Sequence, residues 1–197
     1  MQKGDVALPV RSARTAGFTV VELVMVLVMI GLLAGFAIPK LNVARLKSDG
    51  AARLVRLAVM NAQRTSITRQ SNTIVSFDLT NSRIRVVEDY NNNDTLNTSD
   101  RVYWRSLPEG VKFRTPTMAR VVGGTATSAL QGSELRTVSS YQSIIFRRDG
   151  SASTDMEIYF SARANVPNEY RALTINPATG RSDLYRWGGS SWVRLTQ

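Results

Sequence analysis

The sequence predicts an α+β fold in which a long N-terminal helix precedes a series of antiparallel strands. An apolar run covers residues 18–38 and contains a single charged residue. Apolar residues then recur at helical spacing as far as about residue 69. After Gln70 the period of the pattern becomes two, and turn residues interrupt it repeatedly. At 197 residues the chain can form one domain, or a small domain with an appendage.

The composition excludes most catalytic classes. The chain has no Cys and no His, which removes disulfides, thiolate or imidazole metal sites, and every nucleophilic system that depends on histidine. Gly-Lys does not occur, so a Walker loop is also absent. The 25 basic residues outnumber the 15 acidic ones and give a net charge of +10. We therefore expect no enzyme and no catalytic residue, and instead a protein that meets membranes, polyanions or assembly partners.

The apolar run predicts a membrane-spanning first half of the first helix, at residues 18–39. At ~1.5 Å per residue, the 21 residues from 18 to 38 reach ~31 Å, about the thickness of one bilayer core. Residues 1–17 form a polar, basic leader. A secretory signal peptide also combines a basic leader with an apolar run. Here the run is longer than a typical signal core and no small-x-small cleavage site closes it.

Glu22 is the single charge within this run. A carboxylate at the centre of a span costs ~2.5–3.5 kcal/mol on insertion scales, which makes it a functional candidate. Alternatively, Glu22 lies close to the helix start, where the membrane interface and the positive helix end reduce that cost. Position alone leaves both interpretations open.

Residues 17–23 read Gly-Phe-Thr-Val-Val-Glu-Leu and resemble the prepilin peptidase site of type IV pilins and pseudopilins. The resemblance implies cleavage between Gly17 and Phe18, followed by N-methylation of Phe18. It also implies that Glu22 takes part in assembly. The ammonium group of Phe18 would pair with Glu22 of a neighbouring subunit, neutralising both charges in lipid and setting the axial register.

Three further positions are expected to serve assembly. Pro39 matches a proline common in the long first helix of the family. Gly31 and Gly35 form G-x-x-x-G, which permits close approach of two helices, although glycine is also common in spans for other reasons. The resemblance implies a single-pass protein of the bacterial inner membrane with a periplasmic C-terminal domain. After processing by prepilin peptidase it would join other pilins or pseudopilins in a fibre.

The rest of the chain is predicted to form an amphipathic helical half at 40–70 and a β-rich periplasmic domain at 71–197. On the helix, apolar and small polar residues recur at helical spacing: Leu54, Leu57, Ala58, Asn61 and Thr65. Strands are predicted at 73–77, 83–88, 101–107, 111–114, 143–147, 156–160, 171–175, 183–187 and 192–195. The Thr-, Ser- and Gly-rich stretch 115–140 is predicted to be a long, mobile loop.

Three short motifs in order resemble the GspH/FimT family of minor pseudopilins. Residues 62–64 read Ala-Gln-Arg, residues 146–150 read Phe-Arg-Arg-Asp-Gly, and residues 178–181 read Ala-Thr-Gly-Arg. The family fold is a long helix packed on two antiparallel sheets, so the same pilin-like α+β architecture is expected here. Its members lie at or near the tip of a periplasmic fibre. Some serve type II secretion and others serve type IV pili.

A polar loop between two predicted strands has the spacing of a Ca²⁺ site. Residues with side-chain oxygens occupy offsets 1, 3, 5, 7, 9 and 12 of such a loop: Asp89, Asn91, Asn93, Thr95, Asn97 and Asp100. Asp94 stands at offset six, where glycine is usual, and Asp100 replaces the usual Glu. The alternative is a hairpin loop whose Asn and Asp side chains bond their own backbone.

The arginine excess near the C terminus suggests a second ligand, DNA. Some FimT-like minor pilins capture DNA through C-terminal basic residues, and the candidates here are Arg171, Arg181, Arg186 and Arg194. Arg181 matches the first basic position of that motif, but Asp183 stands where a second arginine is expected. A solvated basic face or charges that pair subunits explain the same residues. We expect a structural subunit that primes or caps a fibre, with DNA capture as the alternative.

Overall fold

The computed structural model describes residues 17–37 and 42–196 of the chain. The chain divides into two compact units, Met1–Asn42 and Val43–Gln197. Most of the predicted leader and the segment 38–41, which includes Pro39, lie outside the described residues. The prediction that one helix continues through Pro39 therefore falls partly on residues that are not described.

The described part of the first unit contains one helix, α1, at Val20–Ala37. Its sequence is apolar apart from Glu22 in the first turn. No helix within the described ranges, α1 included, combines the length and the hydropathy needed to cross a membrane.

The second unit begins with the helix α2, Val43–Arg69, which is 27 residues long. Its buried face consists of small residues and valines at three- and four-residue spacing: Ser48, Ala51, Ala52, Val55, Val59, Ala62 and Ser66. Of the predicted amphipathic face, Leu54 and Ala58 pack at the edge of the core, whereas Leu57 is 59% exposed. Small side chains let the helix backbone approach the sheets closely, which larger leucines would prevent.

Eleven strands follow α2 in the order β1 Asn72–Asp78, β2 Arg83–Asp89, β3 Arg101–Ser106, β4 Lys112–Phe113, β5 Leu130–Gln131, β6 Arg136–Val138, β7 Tyr141–Phe146, β8 Met156–Ser161, β9 Arg171–Ile175, β10 Ser182–Trp187 and β11 Trp192–Arg194. A short 3₁₀ helix, Pro167–Glu169, precedes β9. The first sheet has the order β3-β2-β1-β7-β6, and the second has the order β11-β10-β9-β8-β4, with β5 also paired to β8. Every pairing is antiparallel, which confirms the predicted α+β class of a helix with two antiparallel sheets.

The main hydrophobic core lies where α2 meets both sheets. It joins the buried face of α2 to inward residues such as Phe77 of β1, Phe146 of β7 and Leu173 of β9. The outer face of the first sheet carries a second, smaller cluster, in which Ile74, Val87, Val138 and Ile145 pack with Leu96. The first sheet is thus buried on both faces at its centre, which explains why every residue of β1 is buried.

The nine predicted strands are confirmed to within two residues at each end, whereas the prediction for residues 115–140 needs correction. Two short strands, β5 and β6, lie within this stretch and pair with β8 and β7. These strands are only two and three residues long, too short for a period-two pattern to be recognised in the sequence. Pairing with longer neighbours stabilises them, and a single-sequence pattern cannot reveal such neighbours.

The same stretch is also held by a buried polar cluster on the second sheet. Glu157 of β8 is 2% exposed and accepts hydrogen bonds from Arg120 Nε at 3.1 Å and Val122 N at 3.1 Å. The Tyr159 hydroxyl donates to the same carboxylate and accepts from Val121 N at 3.1 Å. Burial, together with the bond to Glu157, raises the pKa of Tyr159. The loop is therefore fastened through fully satisfied polar contacts.

Candidate functional site

The first turn of α1 is capped by Thr19. The Thr19 Oγ1 accepts a hydrogen bond from Glu22 N at 3.2 Å, and the Thr19 carbonyl accepts one from Leu23 N at 3.1 Å. Thr19 and Glu22 have the T-x-x-E spacing of a capping box, a signal that could have identified Thr19 from the sequence. Glu22 therefore lies in the first turn, where the positive helix end stabilises a carboxylate.

The predicted cleavage point lies just before this cap. Gly17 and Phe18 both precede the helix and are exposed, and the Phe18 side chain is 80% exposed. Among the described residues, no heavy atom outside the neighbouring residues lies within 4 Å of a Cβ built on Gly17. Cleavage of the Gly17–Phe18 bond stays a prediction.

The helix α1 has no polar face over its described side chains. From Val20 to Leu33 the large apolar side chains are 49–81% exposed, and they point to every side of the helix. A Cβ on Gly31 would meet nothing within 4 Å. An apolar surface of this extent is stable only when lipid or other protein covers it. For Gly35 only the helical backbone is described, so its predicted role in helix contacts stays a prediction.

Three sequence motifs that are far apart in the chain meet at Gln63. The side-chain amide of Gln63 on α2 donates to the Gly150 carbonyl at 2.8 Å and to the Thr179 carbonyl at 2.8 Å. Gly150 ends the motif at 146–150, and Thr179 belongs to the motif at 178–181. Sequence reasoning identified the three motifs but not their contact. They form a structural junction between α2 and the two sheets, and none of them presents a catalytic group.

Both glycines at this junction are required by geometry. Gly180 has φ of +62°, and a Cβ there would lie 2.1 Å from the Gly150 carbonyl oxygen and 2.5 Å from Gln63 Nε2. Gly150 has φ of +85°, and its Cβ would lie 2.8 Å from Ile67 Cδ1. Larger residues would force the two turns away from the helix.

The predicted Ca²⁺ loop folds around its own polar groups. Asp89 is fully buried and accepts hydrogen bonds from Asn93 N at 3.3 Å and Asp94 N at 2.7 Å. Asp100 accepts from Tyr90 N at 3.3 Å and Asn97 N at 2.7 Å. Both carboxylates therefore bond loop backbone, as the hairpin alternative predicts.

The amide and hydroxyl side chains of the loop are bonded in the same way. The Asn91 Oδ1 accepts from Asn93 N at 3.3 Å, while Asn93 Oδ1 accepts from Thr95 Oγ1 at 2.7 Å and Asn97 Nδ2 at 3.1 Å. Asp94, at offset six, has φ of +60°, the left-handed backbone that glycine usually provides there. Throughout the described residues, no group of three His, Cys, Asp or Glu side chains could hold a metal ion.

The four C-terminal arginines do not form one surface. Arg171 is 1% exposed, so it lies inside the domain. There it donates to Asp49 Oδ1 at 2.6 Å and to the carbonyls of Asn168 and Tyr170 at 3.0 and 2.9 Å. This burial removes Arg171 from the set of accessible DNA contacts.

The other three arginines are exposed on or next to the second sheet. Arg181 and Arg194 both pair with Asp183, at 3.3 Å in the case of Arg181. Arg186 on β10 lies beside a small cleft that α2 residues such as Asp49 and Arg53 also line. Asp183 stands where the family motif has an arginine. It thus neutralises part of the positive charge that was predicted to contact DNA.

Comparison with known proteins adds a fold likeness. No protein-family model matches the chain, and no curated protein matches it. Two solved structures of the minor pseudopilin EpsH from the type 2 secretion system of Vibrio cholerae are similar in fold. One is 12% identical with a TM-score of 0.46 and covers 72% of this chain and 98% of its own. The other is 14% identical with a TM-score of 0.47 and covers 75% and 99%. A likeness at this level does not extend to function.

Proposed function

We propose that the chain is a minor pseudopilin of the GspH/FimT type, a structural subunit that primes or caps a periplasmic pseudopilus or type IV pilus for protein secretion. The observation that carries the proposal is the N-terminal arrangement. An exposed Gly17–Phe18 bond is followed directly by a capped helix that is apolar on every described side. A helix of this kind needs a covering, and a fibre made of such helices provides one.

The same arrangement accounts for assembly. Cleavage after Gly17 creates an ammonium group on Phe18, four residues before the carboxylate of Glu22. The Glu22 side chain lies in the first helical turn of each subunit, close to the level of the new N terminus. A neighbouring subunit displaced along the fibre axis would therefore bring its Phe18 ammonium group to this Glu22. Pairing neutralises two charges that are costly in an apolar setting. The subunit would enter the fibre from the bacterial inner membrane, with residues 43–197 in the periplasm.

Processing is the first test of this proposal. The full chain is produced with and without a prepilin peptidase, and the intact mass of the membrane-extracted protein is measured. We expect the mass of residues 18–197 plus one methyl group only when the peptidase is present. A mature N terminus at any other residue would refute the proposal.

Incorporation into fibres is the second test. Glu22→Ala should remain in the membrane fraction but be depleted from sheared fibres, because the partner of the neighbouring ammonium group is lost. Glu109→Ala is a matched control, since Glu109 is an exposed carboxylate in the turn between β3 and β4. Normal recovery of Glu22→Ala in sheared fibres would exclude the pairing role.

A further inference from the structure

The strand β3 is a free sheet edge that solvent can reach along its whole length. All six of its residues are exposed, and it pairs on one side with β2, from Arg101 opposite Glu88 to Ser106 opposite Arg83. Within the described ranges no strand pairs with its other side. Such an edge carries unpaired backbone donors and acceptors and is a template for a further strand.

One face of β3 forms the wall of a cavity. The cavity has a volume of about 430 Å³ and lies between α2 and the strands β2 and β3. Tyr103 and Arg105 line it from β3, while Ala58 and Thr65 are among the residues that line it from α2. Arg101 belongs to the same face of β3, because its guanidinium carbon lies 5.7 Å from the centre of the Tyr103 ring.

This cavity is strongly cationic. Its lining includes Arg64, Arg69 and Arg105, and Glu88 is its single carboxylate. Glu88 is 5% exposed and pairs with Arg69 at 2.9 Å, so its charge is already compensated. Arg64 and Arg105 therefore leave an excess of positive charge in the lining of the cavity.

The opposite face of β3 presents an aromatic and arginine cluster. The ring centre of Trp104 lies 4.1 Å from the guanidinium carbon of Arg83 and 5.7 Å from the ring centre of Tyr141. Arg85 lies behind them, 4.8 Å from the Tyr141 ring centre and 3% exposed. Trp, Tyr and Arg are the side chains that most often dominate binding energy at protein interfaces.

The charge of Arg85 is not neutralised locally. Its Nη2 donates to Ser76 Oγ at 3.0 Å and to the Val138 carbonyl at 2.7 Å, whereas its Nε is buried without a partner. Among the described residues no carboxylate oxygen lies within 4.0 Å of it, and burial lowers its pKa. On this face Asp78 pairs with Arg83 at 2.8 Å, as Glu88 pairs with Arg69 on the other face, so each carboxylate beside β3 is already compensated and Arg64, Arg85 and Arg105 leave an excess of positive charge.

We propose that β3 is the docking edge for an extended, acidic segment of a partner protein, which joins the first sheet as an additional strand. Backbone hydrogen bonds to the free edge would give affinity. Alternate side chains of the segment would point to the two faces. On one face carboxylates meet Arg101 and Arg105, and on the other face a side chain packs on Trp104.

Charge disfavours a second copy of the chain in the pairing that matches the two β3 strands along their middle. Antiparallel pairing of two β3 strands centred on Tyr103 would place Arg101 opposite Arg105 twice, and like charges in direct opposition destabilise a sheet. The backbone edge also distinguishes a peptide from a nucleic acid, because only a peptide can continue the ladder of N–H and C=O groups. The inference depends on the geometry of β3 alone and holds whether or not the chain is a fibre subunit.

The experiment measures peptide binding to the full chain in detergent by fluorescence anisotropy at ~0.15 M salt, where non-specific charge attraction is largely screened. The probe is a labelled peptide of about eight residues, within the usual range of strand lengths, in which Glu alternates with Thr or Val. We expect the double variant Arg101→Glu with Arg105→Glu to weaken binding at least about tenfold, or about 1.4 kcal/mol. The matched control, Arg53→Glu with Arg148→Glu, has the same net charge and should bind as the unchanged protein does.

Two changes to the probe make the test independent of protein variants. N-methylation of alternate backbone nitrogens keeps the charge of the peptide but removes its ladder donors, and should abolish binding. A Lys-containing counterpart should bind only the charge-reversed double variant, which also shows that this variant is folded. Equal weakening by the control variant, or full binding of the N-methylated peptide, would overturn the proposal. Tighter β3-dependent binding of a single-stranded oligonucleotide would overturn it in favour of nucleic acid.

Discussion

The side-chain amide of Gln63 donates a hydrogen bond of 2.8 Å to the carbonyl oxygen of Gly150, 87 residues further along the chain. The second proton of the same amide reaches the Thr179 carbonyl, also at 2.8 Å. One side chain on α2 therefore holds the turn after β7 and the turn before β10. Because β7 belongs to the first sheet and β10 to the second, this contact links all three layers of the domain.

A fragment of residues 42–197 should fold on its own. Its main core joins α2 and both sheets continuously, and the chain has no Cys that folding could depend on. Burial of apolar surface is then the principal source of stability. Circular dichroism should show mixed helix and strand with a cooperative thermal transition in the presence of EDTA. A spectrum of disordered chain would contradict this expectation.

The junction at Gln63 should be a major source of stability in that fragment. Gln63→Ala leaves two carbonyls without their donor and should cost about 1–3 kcal/mol. Gly180→Ala should cost at least as much, since a Cβ lies 2.1 Å from the Gly150 oxygen and the residue has positive φ. Gly50→Ala is the control, because a Cβ in that helical position meets nothing and should stabilise by about 0.5–1 kcal/mol. Urea unfolding measures all three, and equal midpoints would disprove the role of the junction.

Asp155 should make the stability of the fragment depend on pH. The hydrogen bond from the Ser133 hydroxyl, together with those from Ser133 N at 3.0 Å and the Thr154 hydroxyl at 3.1 Å, lowers the pKa of Asp155. Its contribution is therefore complete above the unfolded pKa of about 3.9 and is lost as pH falls through the lower folded pKa. Asp155→Asn should lower stability at pH 7 by on the order of 1 kcal/mol.

The comparison across pH is the discriminating measurement. The difference in melting temperature between Asp155→Asn and the unchanged fragment should shrink below about pH 4, where the carboxylate loses its charge. Glu109→Gln, an exposed carboxylate without a hydrogen bond to a described residue, should show no such dependence. A constant difference for Asp155→Asn from pH 7 to pH 3 would argue against the electrostatic explanation.

Calcium should not stabilise the loop between β2 and β3. Asp89 and Asp100 already bond backbone nitrogens, and Asp94 pairs with Arg136 at 2.7 Å and Arg147 at 3.0 Å. A ligand that binds the native state must raise its stability, so millimolar Ca²⁺ should leave the melting temperature of the fragment unchanged. A rise that EDTA reverses would restore the Ca²⁺ site predicted from the sequence.

Binding of DNA should depend on total charge and not on the C-terminal arginines. From residue 42 onward the chain carries 21 basic and 13 acidic residues, so weak and salt-sensitive binding is expected. Arg181→Ala and Arg186→Ala should each cost about as much affinity as Arg53→Ala on α2. Fluorescence anisotropy over a salt series tests this. Selective loss of binding in the two C-terminal variants would favour the alternative function, DNA capture.

The existence of α2 could be predicted from the sequence, but the residues that it buries could not. The helical period predicted the existence of the helix and its end near Arg69, because both depend on neighbours within a few residues. It did not locate the centre of the buried face, since leucines are more hydrophobic than the alanines that the domain buries. Small side chains face inward because the helix backbone lies close to the sheets, and the tertiary structure sets that distance.

The features of the candidate sites also divide into those that adjacent residues predict and those that depend on the tertiary structure. The sequence by itself determined the apolar helix that carries Glu22 and the positions of nine of the eleven strands, because each is a property of adjacent residues. Tertiary structure alone decided that Arg171 is buried against Asp49, that Gln63 bonds Gly150 and Thr179, and that β3 lies at a free edge. These relationships join residues up to 122 positions apart. They arise from the order of strands in two sheets, which the spacing of apolar residues along a chain does not encode.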